Sequence, residues 1–218
     1  MLKFYHVPLS SNSRRVWISL LEKDLEFEDI RMQLNGDQMQ PEFLTMNPFH
    51  HIPVLSDDDF TVIESLAILD YLEAQYPDPS FTPTDAKSLA TMRMLQMVSV
   101  NELQPAFFPL LRHRVDLPED PASPLKAAQE KVTTVLDFYQ QHLGDNSYLV
   151  GKQMTLADFV VITLFLDLKA LKFPVENYPK LMAWHDRLMQ QDSVQKTTPT
   201  PEEMEAAYAF IKKMIEGK

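Results

Sequence analysis

Two short polar segments in the first third of the chain carry side chains suited to binding and activating a small ligand. The first is Ser10-Ser11-Asn12-Ser13, which precedes a helical pattern. A hydroxyl there lies where the helix macrodipole is positive and unpaired N–H groups point outward. It could donate a hydrogen bond to a ligand thiolate and lower the thiol pKa below its free value of about 8.5. The alternative is that these serines only cap the helix.

The second segment is Ile52-Pro53 followed, one hairpin later, by Glu64-Ser65. If the Ile52–Pro53 bond is cis, the Ile52 backbone turns outward, and its N–H and C=O can pair with an extended peptide ligand. The alternative is an ordinary edge proline. Ser65 and its N–H could hold a carboxylate while Glu64 takes an ammonium, although both residues also suit a helix start. Together the segments predict a pocket for a small peptide-like anion that carries a thiol.

Composition excludes several classes of protein. The net charge of −11 disfavours nucleic-acid binding, which needs a basic face, and docking on anionic membranes. The absence of cysteine excludes disulfides, thiolate metal sites and a cysteine nucleophile, so any thiol chemistry must use the thiol of a bound molecule. The sequence begins without the apolar run of a signal peptide and has no membrane-spanning stretch. We therefore expect a soluble cytoplasmic protein.

Other polar motifs favour structural roles. His50 and His51 are adjacent and lack a suitably spaced carboxylate, so we expect no metal site. No His/Asp pair is placed to activate Ser10 as a hydrolase nucleophile. Thr155-Leu156-Ala157-Asp158 precedes an apolar run and is typical of a capping box.

The hydrophobic periodicity predicts a strand–helix–strand unit, a short helix, a hairpin and a third helix within about 76 residues, followed by helices alone. The predicted elements here are Lys3–Val7, a helix from about Val16 to Lys23 capped by Ser11 or Asn12, Ile30–Leu34, Pro41–Met46, Ile52–Ser56, Thr61–Ile63 and Ser65–Tyr76. After the proline-rich segment come Leu89–Leu111, bent by its prolines, Leu125–Leu143, a buried helix over Thr155–Lys172, Leu181–Met189 and Pro201–Ile215. We predict domains over 1–77 and 86–218, with a linker at 78–85.

In order and spacing, several of these motifs resemble those of the cytosolic glutathione S-transferases over almost the whole chain. They are Ser-x-x-x-Arg-Arg-Val from Ser10, Asn47-Pro48-Phe49, Ile52-Pro53-Val54-Leu55, Glu64-Ser65-Leu66-Ala67-Ile68 and Thr155-Leu156-Ala157-Asp158. The resemblance implies an α/β thioredoxin-like N-terminal domain that binds glutathione and an all-α C-terminal helical domain that shapes the electrophile pocket. It also implies a homodimer, with glutathione as co-substrate and small hydrophobic electrophiles as partners.

By position, the resemblance makes Ser10 the catalytic serine of the serine-type classes (phi, theta and zeta), with Ser11 close enough to replace it. It makes Ile52 the residue whose backbone pairs with the cysteinyl part of glutathione and Pro53 the cis-proline. The remaining implied contacts are Glu64 and Ser65 to the γ-glutamyl end, His51 beside the ligand, Gln38 near the glycine carboxylate, and Leu9 in the electrophile pocket.

The resemblance leaves alternatives open. Tyr5 lies farther from the helix than the tyrosine of the tyrosine-type classes, so Ser10 is preferred. Ser10-Ser11-Asn12-Ser13 resembles the zeta-class Ser-Ser-Cys-Ser, with Asn12 in place of cysteine. A maleylacetoacetate-isomerase-like activity, a glutathione peroxidase activity and a non-catalytic glutathione- or ligand-binding role therefore stand beside glutathione conjugation.

Overall fold

A four-stranded mixed sheet forms the N-terminal part of the protein, and helices form the rest. A computed structural model describes residues 1–33 and 35–217. The strands and helices of the first part are β1 (Leu2–His6), α1 (Ser11–Glu22), β2 (Phe27–Arg31), α2 (Pro41–Met46), β3 (Val54–Asp57), β4 (Phe60–Ile63) and α3 (Ser65–Gln75). The helices that follow are α4 (Ala86–Val98), α5 (Phe107–Arg114), α6 (Leu125–Leu143), α7 (Leu156–Ala170), α8 (Pro179–Leu188), α9 (Asp192–Thr197) and α10 (Pro201–Glu216).

The sheet has the strand order β2-β1-β3-β4. β1 pairs in parallel with β2, as a strand–helix–strand unit requires, and antiparallel with β3, which forms the predicted hairpin with β4. The apolar faces of α1 and α3 pack on this sheet and bury Phe4, Val16, Leu20, Leu55 and Ile68. The predicted α/β thioredoxin-like fold followed by an all-helical part is confirmed.

Three predictions of local structure are wrong: the bounds of the second strand, the cap of α1, and the single helix over Leu89–Leu111. The second strand is Phe27–Arg31 rather than Ile30–Leu34, because the parallel register sets Leu2 opposite Phe27; Leu34 itself lies outside the described residues. The cap of α1 is Ser10, not Ser11 or Asn12.

The predicted single helix over Leu89–Leu111 is divided. α4 ends at Val98, a π-helical turn covers Ser99–Leu103, a 3-10 turn covers Gln104–Ala106, and α5 begins at Phe107. Pro105 has no backbone N–H to donate, so the regular helical ladder cannot continue through it.

The predicted central helix is α7, and the side chains from Leu156 to Phe165 are buried. Thr155 and Asp158 form the predicted capping box. The Asp158 carboxylate also accepts hydrogen bonds from the Leu149 N–H at 3.0 Å and the Trp184 Nε1–H at 2.8 Å. This motif is therefore structural: it ties α7 to α8 and to the loop that precedes α7.

Arg14 joins the sheet-bearing part to the helical part. Its side chain, on α1, is buried, and its Nη2 donates to the Thr163 carbonyl at 3.1 Å and to the Asp167 carboxylate, both on α7. The residues between α3 and α4, 76–85, form neither helix nor strand. The domain boundaries given above stay predictions.

Candidate functional site

Residues from four separate segments line a cavity of about 390 Å³ on the N-terminal part, a volume suited to a small ligand. Its lining residues are Ser10, Asn12, Gln38, His50, His51, Ile52, Pro53, Glu64 and Ser65. All the residues predicted to contact the peptide-like ligand are therefore together, along with Asn12 and His50. Leu9 and Ser11, the other two predicted site residues, lie outside this group.

Ser10 occupies the start of α1. Its backbone is extended, with φ −81° and ψ 123°, and its Oγ accepts a 3.5 Å hydrogen bond from the Ser13 N–H. The hydroxyl hydrogen can still be donated to a ligand, since capping uses the oxygen as acceptor. The first turn of α1 contains no acidic residue, so the positive end of the helix dipole is not neutralised by its own side chains.

Arg15 adds a full positive charge beneath the cavity. The side chain is fully buried; its Nε donates to the Ser11 carbonyl at 3.3 Å and its Nη1 to the Ser65 Oγ at 3.5 Å. Its Nη2 has no hydrogen-bond partner among the described residues. Burial lowers the pKa of Arg15 to about 10, which leaves the guanidinium protonated at neutral pH. The cavity floor therefore favours an anionic ligand.

The loop before β3 presents backbone to the cavity. The Ile52–Pro53 peptide bond is cis, as the resemblance implied. Asn47 is buried and holds the loop: its Nδ2 donates to the His51 carbonyl at 2.9 Å, and its Oδ1 accepts from the Phe49 N–H at 3.0 Å. We find no backbone partner for the Ile52 N–H or C=O within residues 1–33 and 35–217. These groups can pair with an extended ligand, as a strand added to a sheet edge does.

Glu64 and Ser65 lie at the start of α3. Glu64 is exposed and has a φ of 67°, and the buried Ser65 begins the helix. On the far side of the cavity, the Gln38 Oε1 accepts from the Gly36 N–H at 3.3 Å. The exposed Glu64 carboxylate, which can accept an ammonium, thus stands next to a helix N-terminus that can bind a carboxylate.

A second cavity, of about 370 Å³, lies between the two parts of the chain and is lined mainly by apolar side chains. They include Leu9, Phe107, Phe108, Leu111, Met204 and Ile211. The predicted electrophile pocket combined Leu9, the helix from Leu89 and the C-terminal segment. Leu9 and α10 line this cavity, and so does α5, which is the C-terminal part of the predicted Leu89–Leu111 helix; Leu89 itself packs against the helical core.

The polar groups of the second cavity are Ser11, Gln104, Asp167 and Tyr208. The Ser11 side chain lines this cavity together with the Asp167 carboxylate, which pairs with Arg14. Burial raises the pKa of Asp167, and the hydrogen bonds and charge of Arg14 oppose that rise. Ser11 thus lines the second cavity, whereas Ser10 lines the first.

Sequence reasoning missed Arg15, Asn12, Asp167 and Tyr208 as site residues. Only Arg15 carried a signal, since it belongs to the Arg-Arg pair of the first motif. Tyr5 lines neither cavity and packs edge-on against Phe43.

Among the described residues, no group of three or more His, Asp or Glu side chains could hold a metal ion. None of the helices within those residues is long and apolar enough to cross a membrane.

Two family models match the chain. The model "Glutathione S-transferase, N-terminal domain" matches residues 4–80, and the model "Glutathione S-transferase, C-terminal domain" matches residues 98–192. The first match contains the lining of the first cavity, and the second contains α5 and Asp167 of the second cavity.

Individual proteins are similar over most of their length. The chain is 35% identical to maize (Zea mays) glutathione S-transferase 3, covering 90% of this chain and 92% of the relative. It is 31% identical to glutathione S-transferase 1 of Manduca sexta, covering 90% and 91%.

Solved structures of similar fold include glutathione transferase F7 from Populus trichocarpa, with a TM-score of 0.78, 29% identity, and 90% and 97% of the two chains covered. Human glutathione S-transferase T1-1 in its apo form has a TM-score of 0.81 at 28% identity, with 90% and 87% covered.

Proposed function

The chain belongs to the glutathione S-transferase family and is a glutathione transferase, and we propose that it activates the glutathione thiol with the Ser10 hydroxyl and the N-terminus of α1. This proposal is supported by the convergence on one cavity of the seven residues predicted to contact glutathione. They are Ser10, Gln38, His51, Ile52, Pro53, Glu64 and Ser65. Each group of glutathione has a matching residue. Glu64 and Ser65 match the α-amino acid end, Ser10 matches the thiol, and Gln38 matches the glycine carboxylate.

The proposed mechanism requires no protein nucleophile. Glutathione binds with its cysteinyl backbone against the N–H and C=O of Ile52 and its sulfur beside the Ser10 Oγ. The Ser10 hydroxyl donates a hydrogen bond to the sulfur, and the helix dipole and Arg15 lower the thiol pKa, so the proton leaves to solvent. The thiolate then attacks an electrophile in the second cavity, where a carbon–sulfur bond forms as the bond to the leaving group breaks.

Adjacency of the two cavities supports this second step. Leu9 and Ser11 line the second cavity and flank Ser10, which lines the first. Consecutive Cα atoms are about 3.8 Å apart, so a sulfur held at Ser10 is close to a molecule in the second cavity. The apolar lining there favours small hydrophobic electrophiles. A hydroperoxide attacked at its outer oxygen by the same thiolate would release an alcohol and leave glutathione sulfenic acid, which a second glutathione converts to the disulfide and water; this would be the peroxidase activity.

The decisive experiment follows the ultraviolet absorption of the glutathione thiolate during a pH titration of the complex. We expect a thiolate at pH 7 with the unmodified protein, and a Ser10→Ala complex whose thiol titrates near the free value of about 8.5. Tight binding with no thiol pKa shift would contradict the mechanism and favour the non-catalytic binding role. Cis–trans conversion of a dienone acid without net consumption of glutathione would favour the isomerase.

We further propose that the protein is a cytoplasmic homodimer. Phe49 is 59% exposed, Met97 is 49% exposed and Met94 is 39% exposed, an amount of apolar surface that a second subunit would cover. Sedimentation equilibrium should give twice the chain mass, and Phe49→Asp should shift the protein toward monomer. A monomer at all concentrations would contradict the proposal.

A further inference from the structure

The two ends of the first cavity differ in charge. Gln38 follows β2 and Glu64 follows β4, and these are the two edge strands of the sheet, so the residues lie at opposite ends of the cavity. At the Glu64 end, the N-terminus of α3 and the buried Arg15, whose Nη1 donates to the Ser65 Oγ at 3.5 Å, supply positive charge. At the Gln38 end, the other side chains are those of His50-His51.

The Gln38 end has no such positive charge. The sequence from Met32 to Ala86, which contains both Gln38 and His50-His51, includes no lysine and no arginine. Within residues 1–33 and 35–217, no Lys or Arg side chain lines the cavity. Imidazole side chains are mostly uncharged at pH 8. The described lining at this end therefore carries little or no positive charge at that pH.

The charged group beside Gln38 is an anion. The Gln38 backbone N–H donates to the Asp37 Oδ1 at 2.9 Å, and the Gln33 N–H donates to the Asp37 Oδ2 at 2.6 Å. A ligand carboxylate at this end is repelled by that charge, whereas a neutral carbonyl is not. Gln38 can bind either one, because its Oε1 accepts from the Gly36 N–H at 3.3 Å and its Nε2 remains a donor.

The Gln38 end is also the more open one. His50 and His51 are exposed and Gln38 is half-buried, whereas Ser65 and Arg15 at the other end are buried. A ligand group larger than a carboxylate can therefore extend past Gln38 into solvent without displacing packed side chains.

We propose that the first cavity accepts glutathione whose glycine carboxylate is converted to an amide, of ammonia or of a larger amine, as well as it accepts glutathione. The γ-glutamyl end and the thiol then define the thiol substrate, and the charge of the glycine end does not. This inference rests on the proposed function, because it requires glutathione in the first cavity with its glycine toward Gln38.

The test measures binding by calorimetry at pH 8. S-methylglutathione, which cannot ionise at sulfur, is compared with its glycine amide and with the derivative whose γ-glutamyl α-carboxylate is an amide. We expect the Kd of the glycine amide to be at most about threefold above that of S-methylglutathione, a difference within the range of exposed ion pairs. We expect the Kd of the γ-glutamyl amide to be about tenfold higher or more, because that ligand loses the attraction of Arg15 and the α3 N-terminus.

A charge added at the glycine end should create the missing preference. Gln38→Lys should lower the Kd of S-methylglutathione about threefold or more and leave that of the glycine amide unlowered, because only the first ligand carries a carboxylate there. Gln129→Lys is the matched control, since it makes the same substitution at an exposed position of α6 outside both cavities. It should leave the ratio of the two Kd values unchanged.

Each contrary outcome overturns a specific statement. A glycine amide bound more than about threefold more weakly than S-methylglutathione would overturn the inference, while a thiolate on bound glutathione would leave the proposed function standing. A γ-glutamyl amide bound less than about tenfold more weakly would overturn the role of Arg15 and the α3 N-terminus in holding that carboxylate. An unchanged Kd ratio in Gln38→Lys would overturn the placement of the glycine end at Gln38. No binding of S-methylglutathione would overturn the proposed function and this inference with it.

Discussion

Ser10 and Ser11 are consecutive residues that line different cavities. Ser10 has an extended backbone and lines the cavity shared with Ile52 and Ser65, while Ser11 is the first residue of α1 and lines the apolar cavity shared with Asp167. The change from extended to helical backbone between them turns the two side chains apart. The adjacent hydroxyls therefore have different partners.

The first prediction concerns these two serines. Ser10→Ala should lower conjugation of 1-chloro-2,4-dinitrobenzene about tenfold or more at saturating glutathione, because the thiolate loses its hydroxyl donor. Glutathione affinity, measured by calorimetry, should change little, since most binding groups remain. Ser10→Thr, which keeps a hydroxyl, should recover part of the activity.

Ser11→Ala is the matched comparison for Ser10→Ala. It should cost less activity, since Ser11 lines the second cavity with Asp167 and not the cavity that Ser10 lines. A larger loss in Ser11→Ala than in Ser10→Ala would reverse the assignment of the thiolate donor.

The second prediction concerns Arg15. Arg15→Met should raise the pKa of the bound glutathione thiol by about 1 unit or less and weaken glutathione binding, because the buried positive charge below Ser65 is lost. Arg15→Lys keeps the positive charge but not the planar guanidinium. Its bound-thiol pKa and its glutathione affinity should therefore lie between those of Arg15→Met and those of the unmodified protein.

The free energy of unfolding separates a functional from a structural role for Arg15. Burial penalises the charged guanidinium, as its lowered pKa indicates, so Arg15→Met should destabilise the fold by less than about 1 kcal/mol. A large loss of stability, with an unchanged thiol pKa in the folded fraction, would show that Arg15 is only structural.

The third prediction concerns the buried ion pair between α1 and α7. Asp167→Asn leaves the Arg14 charge buried and unpaired, so urea unfolding should show a loss of about 3 to 5 kcal/mol. The double variant Arg14→Gln/Asp167→Asn should lose less than the sum of the two single variants, because the residues interact directly. Strict additivity would mean that the pair does not couple the two parts of the protein.

The fourth prediction concerns stability and pH. His6 is buried with its Nε2 2.5 Å from the Asp29 carboxylate; burial lowers its pKa below 6.5 more than Asp29 raises it, and Arg31 adds to the lowering. Between the lowered pKa and 6.5 the unfolded chain binds the proton and the folded chain does not. The free energy of unfolding should therefore fall as pH drops below about 6.5.

The variant His6→Gln tests the source of this pH dependence. Glutamine can still donate to Asp29 but does not titrate, so the loss of stability between pH 6.5 and pH 5 should be smaller than in the unmodified protein. His113→Gln, at an exposed position, should leave the profile unchanged. His185, whose pKa burial also lowers, should contribute to the slope that remains in His6→Gln. An unaltered slope in His6→Gln would show that His6 does not contribute.

Local signals were sufficient to predict most of the elements. Apolar periodicity located α1, α3, α6 and α7, and Pro53, Pro77 and Pro105 marked where regular structure begins or ends. The ordered motifs predicted the residues of the first cavity through their resemblance to a known family, and that resemblance together with the order of predicted elements predicted the two-part fold.

Two of the wrong predictions lie where pairing between distant segments takes part in the outcome. The bounds of β2 follow from its parallel register with β1, not from the alternation of Ile30 with Met32. The division of α4 from α5 accompanies packing of the π-helical turn, where the Ser99 Oγ lies 2.7 Å from the Tyr139 Oη.

The sequence by itself determined the fold class, the glutathione-type motif set and the need for a thiol supplied by a ligand, since these depend on residue types and short spacings. The tertiary structure alone decided that Ser10 and Ser11 line separate cavities, that Arg15 donates to Ser65 from below the first cavity, and that Tyr208 of α10 lines the same cavity as Ser11. These relations join side chains separated by up to about two hundred positions. Only packing of α1 against α7 and of α10 over the second cavity brings them within reach, and no local pattern encodes that packing.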